Sequence, residues 1–516
     1  MNDKNQRKSG AILSYVSIIA STLVQLLYTP FLIRMLGQSE YGLYSLIASV
    51  ISYLTVLDLG FGNALVVYTV KYRSQNDIES EKKMQGMFKI IFYIIGLVIA
   101  LISTILYFNV NTLFGKTMTN NELDEAKIMM IILALNLVIT FSFNIYSSII
   151  NAYEKFTFQK VMSILNTIMK PIAMTPLLFL GYKSIAMCVA ITIINIIIVV
   201  SNYFYCRKKL DVKVKYCGFD WKLFKIIFSY SIWIFVGTIV DKVNWSVDQF
   251  ILGAVAGTVA VSLYSVASQF NTLFLNLSGA INGVMLPKIS KMVAKDASNE
   301  EISNEFIKVG RIQYLLIFLM ASGFTLFGKE FIVSWVGNEY VMSFYIALLL
   351  ILPLCIPLIQ NIGISIMQAK NLHRFRSILY TFIAIANLAI SIPLAKNFGG
   401  IGSAIGTGMS LIVGNGIIIN IYYQKKVGIN IIKFWKEIIK MTIPNIIPIA
   451  VILVIMHFIP LHGYYNVMVF GGIYTILYCS TCYFISMNEY EKDIINKILV
   501  KLKVRRENNE RNCIKK

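Results

Sequence analysis

The sequence has few charged residues and no long polar segment in which a soluble domain could fold. Of its 516 residues only 14% are Asp, Glu, Lys or Arg, whereas 57% are hydrophobic and the mean hydropathy is +0.68. This composition excludes the ordinary soluble classes. Connections between apolar segments reach only about 20 residues, too short for an appended catalytic domain. Phosphate-binding loops, zinc-binding helix motifs and nucleophile elbows are also missing from the sequence.

Long apolar runs make up most of the chain. They follow one another from Ala11 to Ser486, and each is about 20 residues long, the length with which an α-helix crosses the hydrocarbon core. Because lipid cannot satisfy backbone hydrogen bonds, such runs must be helical. The sequence therefore predicts an all-α polytopic membrane protein with about 14 transmembrane helices. The predicted segments, numbered 1 to 14, are 11–36, 41–67, 88–110, 125–150, 161–181, 184–205, 226–252, 259–286, 311–333, 341–367, 377–395, 400–423, 442–460 and 466–486.

The basic residues alternate between the two sides of the predicted membrane. If the N-terminus is cytoplasmic, 39 of the 47 Lys and Arg residues lie on the inner side and 6 on the outer side. This asymmetry follows the positive-inside rule and predicts an even number of crossings with both termini cytoplasmic. The net charge of +21 is spread over the inner loops. We therefore expect anionic membrane lipid as a partner, and no nucleic acid.

Short sequence matches recur in the same order at offsets of 216 to 220 residues. They pair Thr22–Gly37 with Thr238–Gly253, Leu43–Ser45 with Leu263–Ser265, and Phe158 with Phe375. An even number of helices separates the copies, so the two repeats should run in the same direction across the membrane. The sequence thus predicts an N-lobe at 1–225 (segments 1–6) and a C-lobe at 226–441 (segments 7–12). Two extra helices at 442–486 and a basic cytoplasmic tail at 487–516 follow.

Segment 7 carries charged residues near its middle, where a charge usually faces protein or water rather than lipid. Asp241, Asn244 and Asp248 share one helical face, and Lys242 is rotated away from it. One interpretation is a cavity face with a carboxylate that couples transport to a proton or sodium gradient. The other is a structural ion pair between helices.

Further candidates for a substrate or ion cavity are Lys170, Gln25, Arg34 and Asp58. Lys170 could attract an anionic group or pair with a segment 7 carboxylate. Arg34 and Asp58 lie near helix ends, where capping or pairing is an alternative role. Proline kinks a helix, so the sequence also predicts hinges, or simply shaped packing, at four prolines. These are Pro30, Pro171, Pro353 and Pro357.

The first two segments carry a recognisable pattern. The stretch Thr29–Tyr44, with Leu36-Gly-Gln-Ser-Glu-Tyr-Gly42, and the following Leu57-Asp-Leu-Gly-Phe-Gly-Asn-Ala64 resemble the polysaccharide flippases. These O-antigen and oligosaccharide-lipid exporters belong to the multidrug/oligosaccharidyl-lipid/polysaccharide exporter superfamily. The resemblance extends to fourteen helices in two six-helix lobes with an extra helix pair.

This resemblance implies transport without covalent chemistry. Such a protein moves an undecaprenyl-pyrophosphate-linked oligosaccharide to the outer leaflet of the bacterial inner membrane by alternating access. It needs no cofactor beyond an ion gradient, and polysaccharide polymerase and assembly proteins are expected neighbours. Two alternatives stay open: a cation-coupled multidrug or small-molecule antiporter of the same fold, and a membrane-embedded glycosyltransferase or polymerase.

Overall fold

The computed structural model describes residues 3–216, 218–370 and 372–497, and in that part of the chain it contains helices and no strands. The first half comprises α1 Asp3–Leu36, α2 Gln38–Tyr53, α3 Phe61–Ser74, α4 Ile78–Phe114, α5 Asn120–Ser142, α6 Asn144–Ala152, α7 Phe156–Phe179, α8 Ser184–Lys209 and α9 Trp221–Val255. The second half comprises α10 Gly257–Ala294, α11 Asn299–Val336, α12 Val341–Ile359, α13 Ile362–Ala369, α14 His373–Leu411, α15 Ile419–Tyr422, α16 Ile431–Phe458 and α17 Gly463–Thr481.

Each of the fourteen predicted segments is helical. Eleven stretches among the described residues are long and apolar enough to cross a membrane, which is compatible with the predicted fourteen crossings and confirms a multi-pass membrane protein. Segments 2, 4 and 10 are interrupted by a 3-10 turn at Leu54–Asp58, by Phe143, and by Gln360 with Asn361. Segments 11 and 12 follow one another through α14, which bends at Gly399.

The residues form two compact units. The first contains Met1–Ala267 and Tyr380–Thr407, and in it α1 packs on α7 and α4 packs on α5. The second contains Ser268–Leu379 and Gly408–Lys516, and in it α11 packs on α12, α16 and α17. The lobe boundaries inferred from the sequence, at 225 and 441, stay a prediction.

Matching contacts recur in the two repeats. Phe158 stacks on Tyr205 with ring centroids 3.8 Å apart, and 217 residues later Phe375 stacks on Tyr422 at the same distance. The sequence match at Phe158 and Phe375 therefore marks an equivalent aromatic stack in the structure, which supports the internal duplication.

The helix pair outside the repeat has a core of its own within the second unit. Tyr474 and Phe470 of α17 and Ile452 of α16 are buried against Phe327 of α11. The Tyr474 hydroxyl also hydrogen-bonds to the Ser322 hydroxyl on α11, with the oxygens 2.5 Å apart. Apolar burial and this polar contact together fix the extra helices on α11.

Candidate functional site

Asp248, predicted from the sequence, is a buried carboxylate whose hydrogen-bond partners among the described residues are hydroxyl groups. Its side chain accepts hydrogen bonds from Tyr264 Oη at 2.6 Å, from Ser403 Oγ at 2.6 Å and from Thr407 Oγ1 at 3.1 and 3.2 Å. Asp248 itself is 2% exposed. Asn387 extends the cluster, since its side-chain oxygen accepts from Thr407 and, at 2.7 Å, from Ser391.

Three local features of the chain bring these groups together. The α9–α10 corner at Ala256 and Gly257 turns the chain back so that Tyr264 faces Asp248. Gly399 has φ +56, a conformation that glycine adopts without strain, and it turns α14 so that residues after the bend return toward those before it. At Gly406 an added Cβ would lie 2.2 Å from Ser391 Oγ. Only glycine at position 406 therefore permits the part of α14 after the bend to lie so close to Ser391 before it. This close approach brings Ser403 and Thr407 next to Asn387.

The cluster has the chemistry of a site for a proton or a small hard cation. No described Lys, Arg or His forms an ion pair with Asp248, and the groups that act on its carboxylate are hydroxyls. A buried charge without a counter-charge is costly, so such a carboxylate takes up a proton or a cation. In the described part of the chain, the atoms that hydrogen-bond within this cluster are oxygens, the ligand type that hard cations prefer.

The other segment 7 candidates also lie on α9. Asn244 is buried, and its side-chain nitrogen makes no hydrogen bond within the described part of the chain. Lys242 is half-buried. The side chain of Asp241 lies outside the described residues. The structure thus places Asp248 and Asn244 on a buried polar face of α9, while the roles proposed for them stay predictions.

The remaining candidates are dispersed over the first unit. Lys170 is partly buried on α7, Gln25 is partly buried on α1, and Arg34 is exposed near the end of α1. Asp58 accepts a hydrogen bond from Asn144 at 3.2 Å, which joins the 3-10 turn of segment 2 to the break between α5 and α6. Lys170 and Lys242 form no ion pair with a described residue, and neither pairs with Asp248.

The four predicted hinge prolines lie inside continuous helices. Pro30 is within α1, Pro171 within α7, and Pro353 and Pro357 within α12. The observed interruptions lie elsewhere, at the 3-10 turn, at Phe143 and after Ile359. Their role as hinges stays a prediction.

A contact between the two predicted lobes was not anticipated from the sequence. Glu122, at the start of α5, accepts hydrogen bonds from Ser39 Oγ at 2.5 Å and from Thr258 Oγ1 at 2.9 Å. Ser39 and Thr258 also hydrogen-bond to each other at 3.0 Å, and Thr117 Oγ1 donates to the Gly253 carbonyl at 2.6 Å. We call this group of five residues the lobe latch.

Close backbone packing accompanies the lobe latch. A Cβ at Gly42 would lie 1.9 Å from the Thr258 carbonyl oxygen, and one at Gly253 would lie 2.6 Å from the Leu46 side chain. The helices α2, α9 and α10 can meet this closely only because glycine occupies both positions. The positive-inside pattern predicts that this end of the helices faces the outside of the cell.

An ion pair lies beside the lobe latch within the first predicted lobe. Glu40 accepts from Ser184 Oγ at 2.7 Å, and the Lys183 ammonium is 3.0 Å from its other oxygen. This hydrogen-bonded ion pair raises the pKa of Lys183 above its ordinary value. Ser184 and Ser403 occupy matching places in the repeats, three and four residues after the positive-φ glycines Gly181 and Gly399. Each donates to a carboxylate.

Comparison with known proteins identifies the relatives of this chain. Over 401 residues it is 22% identical to the "Putative O-antigen transporter" of Shigella flexneri, covering 76% of this chain and 92% of that protein. Its fold is similar to the lipid II flippase MurJ in an inward closed conformation, with a TM-score of 0.73, 18% identity and coverage of 94% of this chain and 99% of that chain. It is also similar to an inward-facing multidrug resistance MATE transporter, with a TM-score of 0.60, 15% identity and coverage of 78% of this chain and 99% of that chain.

The model of the family described as "Polysaccharide biosynthesis protein" matches residues 8–293, more than half of the sequence. The chain therefore belongs to the polysaccharide biosynthesis protein family.

Proposed function

We propose that this protein is a flippase that moves an undecaprenyl-pyrophosphate-linked oligosaccharide from the inner to the outer leaflet of the bacterial cytoplasmic membrane. The observation that carries the proposal is the family match over residues 8–293. Two further observations support it: a relative is named as an O-antigen transporter, and a flippase for lipid II has a similar fold. Neither relative is named as an enzyme, which argues against the glycosyltransferase or polymerase alternative.

Half-buried cations suit the anionic part of such a substrate. Lys170 and Lys242 lie within helices and have no ion-pair partner among the described residues. An unpaired charge at such a depth needs water or an anion. A pyrophosphate could supply the anion while the isoprenoid chain stays in the bilayer. We therefore keep Lys170 and Lys242 as candidate substrate contacts.

The Asp248 cluster and the lobe latch suggest how transport could be coupled to an ion gradient. Asp248 lies on α9 between Ser246, whose carbonyl accepts from Ser49 Oγ at 3.5 Å, and Gly253, whose carbonyl accepts from Thr117. Both neighbours contact the first predicted lobe. A proton or sodium ion at Asp248 would change the charge beside this contact, and so bias the latch toward its closed or open form. In alternating access, the lobe latch would open on one side of the membrane while the two predicted lobes close together on the other side.

The experiment that tests flipping uses a deletion strain in its native background. Lipid-linked oligosaccharides would be extracted and their membrane face determined with an impermeant glycan probe. We expect accumulation on the cytoplasmic face and loss of surface polysaccharide, both restored by the wild-type gene. Normal polysaccharide and no accumulation, also after deletion of any second flippase gene, would contradict the proposal. Contacts with polymerase and assembly proteins stay predictions.

The fold similarity to MATE transporters favours one alternative, a cation-coupled antiporter of drugs or other small molecules. The two functions differ in phenotype. If deletion lowers drug resistance and leaves the surface glycan intact, the antiporter is correct. If deletion removes the glycan and leaves drug resistance unchanged, the flippase is correct.

A further inference from the structure

An apolar pocket lies on the second unit, where α17 and the following residues pack beside α11. Its volume is about 640 Å³, within the range of small-molecule sites. Its lining is almost entirely apolar and includes Ile312, Leu316 and Leu319 from α11, Phe484 after α17, and Ile494 and Ile495 from the last described helix. Phe484 is 75% exposed and Leu316 is 39% exposed, so the pocket opens toward the surroundings of the helices and not into the protein core.

A buried ion-pair network fixes one wall of this pocket. The helix formed by residues 489–497 begins at a reciprocal cap, in which Glu491 N donates to Asn488 and Asn488 N donates to Glu491. Arg311 of α11, 5% exposed, binds both carboxylate oxygens of Glu491 at 2.6 and 3.0 Å. Arg311 also binds Glu437 of α16 at 2.8 Å. The wall that carries Ile494 and Ile495 is therefore preformed.

Two lysines lie close to residues that line the pocket or follow them in sequence. The Lys308 ammonium is 5.0 Å from the centre of the Tyr490 ring, and the Lys492 ammonium is 5.7 Å from the centre of the Tyr483 ring. Lys308 is one helical turn before Ile312 on the same face of α11. Three of the nearby carboxylates already have partners, since Glu491 binds Arg311, Glu305 binds Lys288 and Asp493 binds Lys497. Within the described residues, Lys308 and Lys492 form no ion pair, and their charges are available to a ligand.

From this arrangement we propose that the pocket binds one anionic glycerophospholipid of the leaflet on the Lys308 side. An acyl chain would occupy the apolar pocket, and the phosphate would lie between Lys308 and Lys492. Basic residues above an apolar crevice at the cytoplasmic end of helices are a common site for anionic lipid headgroups, and the positive-inside pattern predicts that this end is cytoplasmic.

The depth of the pocket favours a phospholipid over a long isoprenoid. From Lys308 to Leu319 the helix rises about 16 Å, close to the ~15 Å thickness of one leaflet of the hydrocarbon core. An acyl chain of ordinary length fills that distance. An undecaprenyl chain is several times longer and would leave most of its apolar surface outside the pocket.

The test measures lipid binding by the intact purified protein in detergent. Native mass spectrometry would count phosphatidylglycerol retained by the wild type and by the K308Q/K492Q variant, with phosphatidylcholine as the neutral probe. We expect about 30-fold weaker phosphatidylglycerol binding in the variant, because each basic residue near an anionic lipid contributes about 1 kcal/mol. The matched control is K329Q/K396Q, which removes two exposed lysines, one of them at the opposite end of α11. It should bind phosphatidylglycerol as the wild type does.

A second variant tests the apolar part of the site. Leu316→Trp would fill the pocket from a partly exposed position, so the fold should survive, as checked by size exclusion and by melting without added lipid. It should weaken phosphatidylglycerol binding while both lysines remain. Wild-type binding in K308Q/K492Q and in Leu316→Trp would overturn the proposal. So would displacement of phosphatidylglycerol by equimolar undecaprenyl phosphate, since the site would then prefer the isoprenoid.

Discussion

Asp248 lies five residues before Gly253 on α9, so the hydroxyl-bound carboxylate is about one and a half helical turns from the carbonyl that Thr117 binds. The first residue belongs to the candidate ion site, and the second belongs to the lobe latch. A rigid helix connects them within one compact unit. Occupancy of the ion site and closure of the latch can therefore be coupled through α9 without a longer pathway.

The first prediction concerns the carboxylate. Asp248→Asn should fold, because an amide can still hydrogen-bond to Ser403, Tyr264 and Thr407, but it removes the charge that a proton or cation compensates. We expect the response of transport to the imposed gradient to be lost, because the variant can no longer couple ion binding to the change of conformation. The measurement is flipping of a fluorescent lipid-linked oligosaccharide in proteoliposomes under an imposed proton or sodium gradient.

Its matched control is Asp296→Asn. Asp296 is exposed and has φ +53, a conformation that Asn tolerates, so this variant should transport normally. Melting temperature provides an independent readout, because a cation that binds the native state raises it. Wild type should respond to sodium or to pH, and Asp248→Asn should not. Equal transport by Asp248→Asn and wild type would assign Asp248 a purely structural role.

The second prediction concerns the lobe latch. Ser39 Oγ and Thr258 Oγ1 are 3.0 Å apart, so cysteines at both positions should be within reach of a disulfide. Oxidation of S39C/T258C should stop transport, and reduction should restore it, because alternating access requires these helices to separate. The matched pair is S17C/S163C, whose native oxygens are 3.4 Å apart on α1 and α7 of the same predicted lobe. Its oxidation should leave transport intact. Continued transport by fully oxidised S39C/T258C would show that this contact does not open.

The third prediction concerns Gly42. An alanine Cβ here would meet the Thr258 carbonyl at 1.9 Å, and since that atom is backbone, α2 and α10 must move apart. The closed contact should be destabilised by about 1–3 kcal/mol, as for other overpacked sites. The yield of the 39–258 disulfide should fall in a G42A/S39C/T258C variant. Gly471→Ala is the control, because its Cβ would meet nothing within 4 Å. An unchanged yield in the Gly42→Ala background would mean that the helices adjust without opening.

The sequence predicts the helices well and predicts contacts poorly, for a physical reason. An apolar run of about 20 residues has to be a helix in lipid, so each segment could be located without knowledge of its neighbours. Asp248 was identified because a carboxylate inside such a run is unusual. Its partners are 16, 155 and 159 residues away, and Ser or Thr in an apolar helix carries no signal that singles it out.

Arg311 shows the same limit. It stands at the start of segment 9, where a basic residue is unremarkable, and the structure buries it between Glu437 and Glu491. Those carboxylates are 126 and 180 residues further along the chain. The sequence does not indicate the lobe latch, because Ser39, Glu122 and Thr258 are ordinary polar residues at helix ends. The repeat is visible in the sequence because the two aromatic stacks need the same residue type at equivalent positions. A comparison of the two halves therefore pairs Phe158 with Phe375.

The fourth prediction concerns the attachment of the helix at 489–497 to α11. Arg311→Met leaves Glu491, 3% exposed, as a buried charge without a partner. Breaking a buried pair in this way typically destabilises a protein by about 3–5 kcal/mol. We expect a lower melting temperature in detergent and faster tryptic cleavage near Lys492, because the helix at 489–497 loses its attachment to α11.

The control variant is Lys440→Met. It removes an exposed partner of the same Glu437 and should change the free energy of unfolding by less than about 1 kcal/mol. The double variant Arg311→Met with Glu491→Met should recover much of the loss, since apolar replacement of a buried pair is often neutral. If the single variant melts with the wild type, the ion-pair network does not hold the tail on α11.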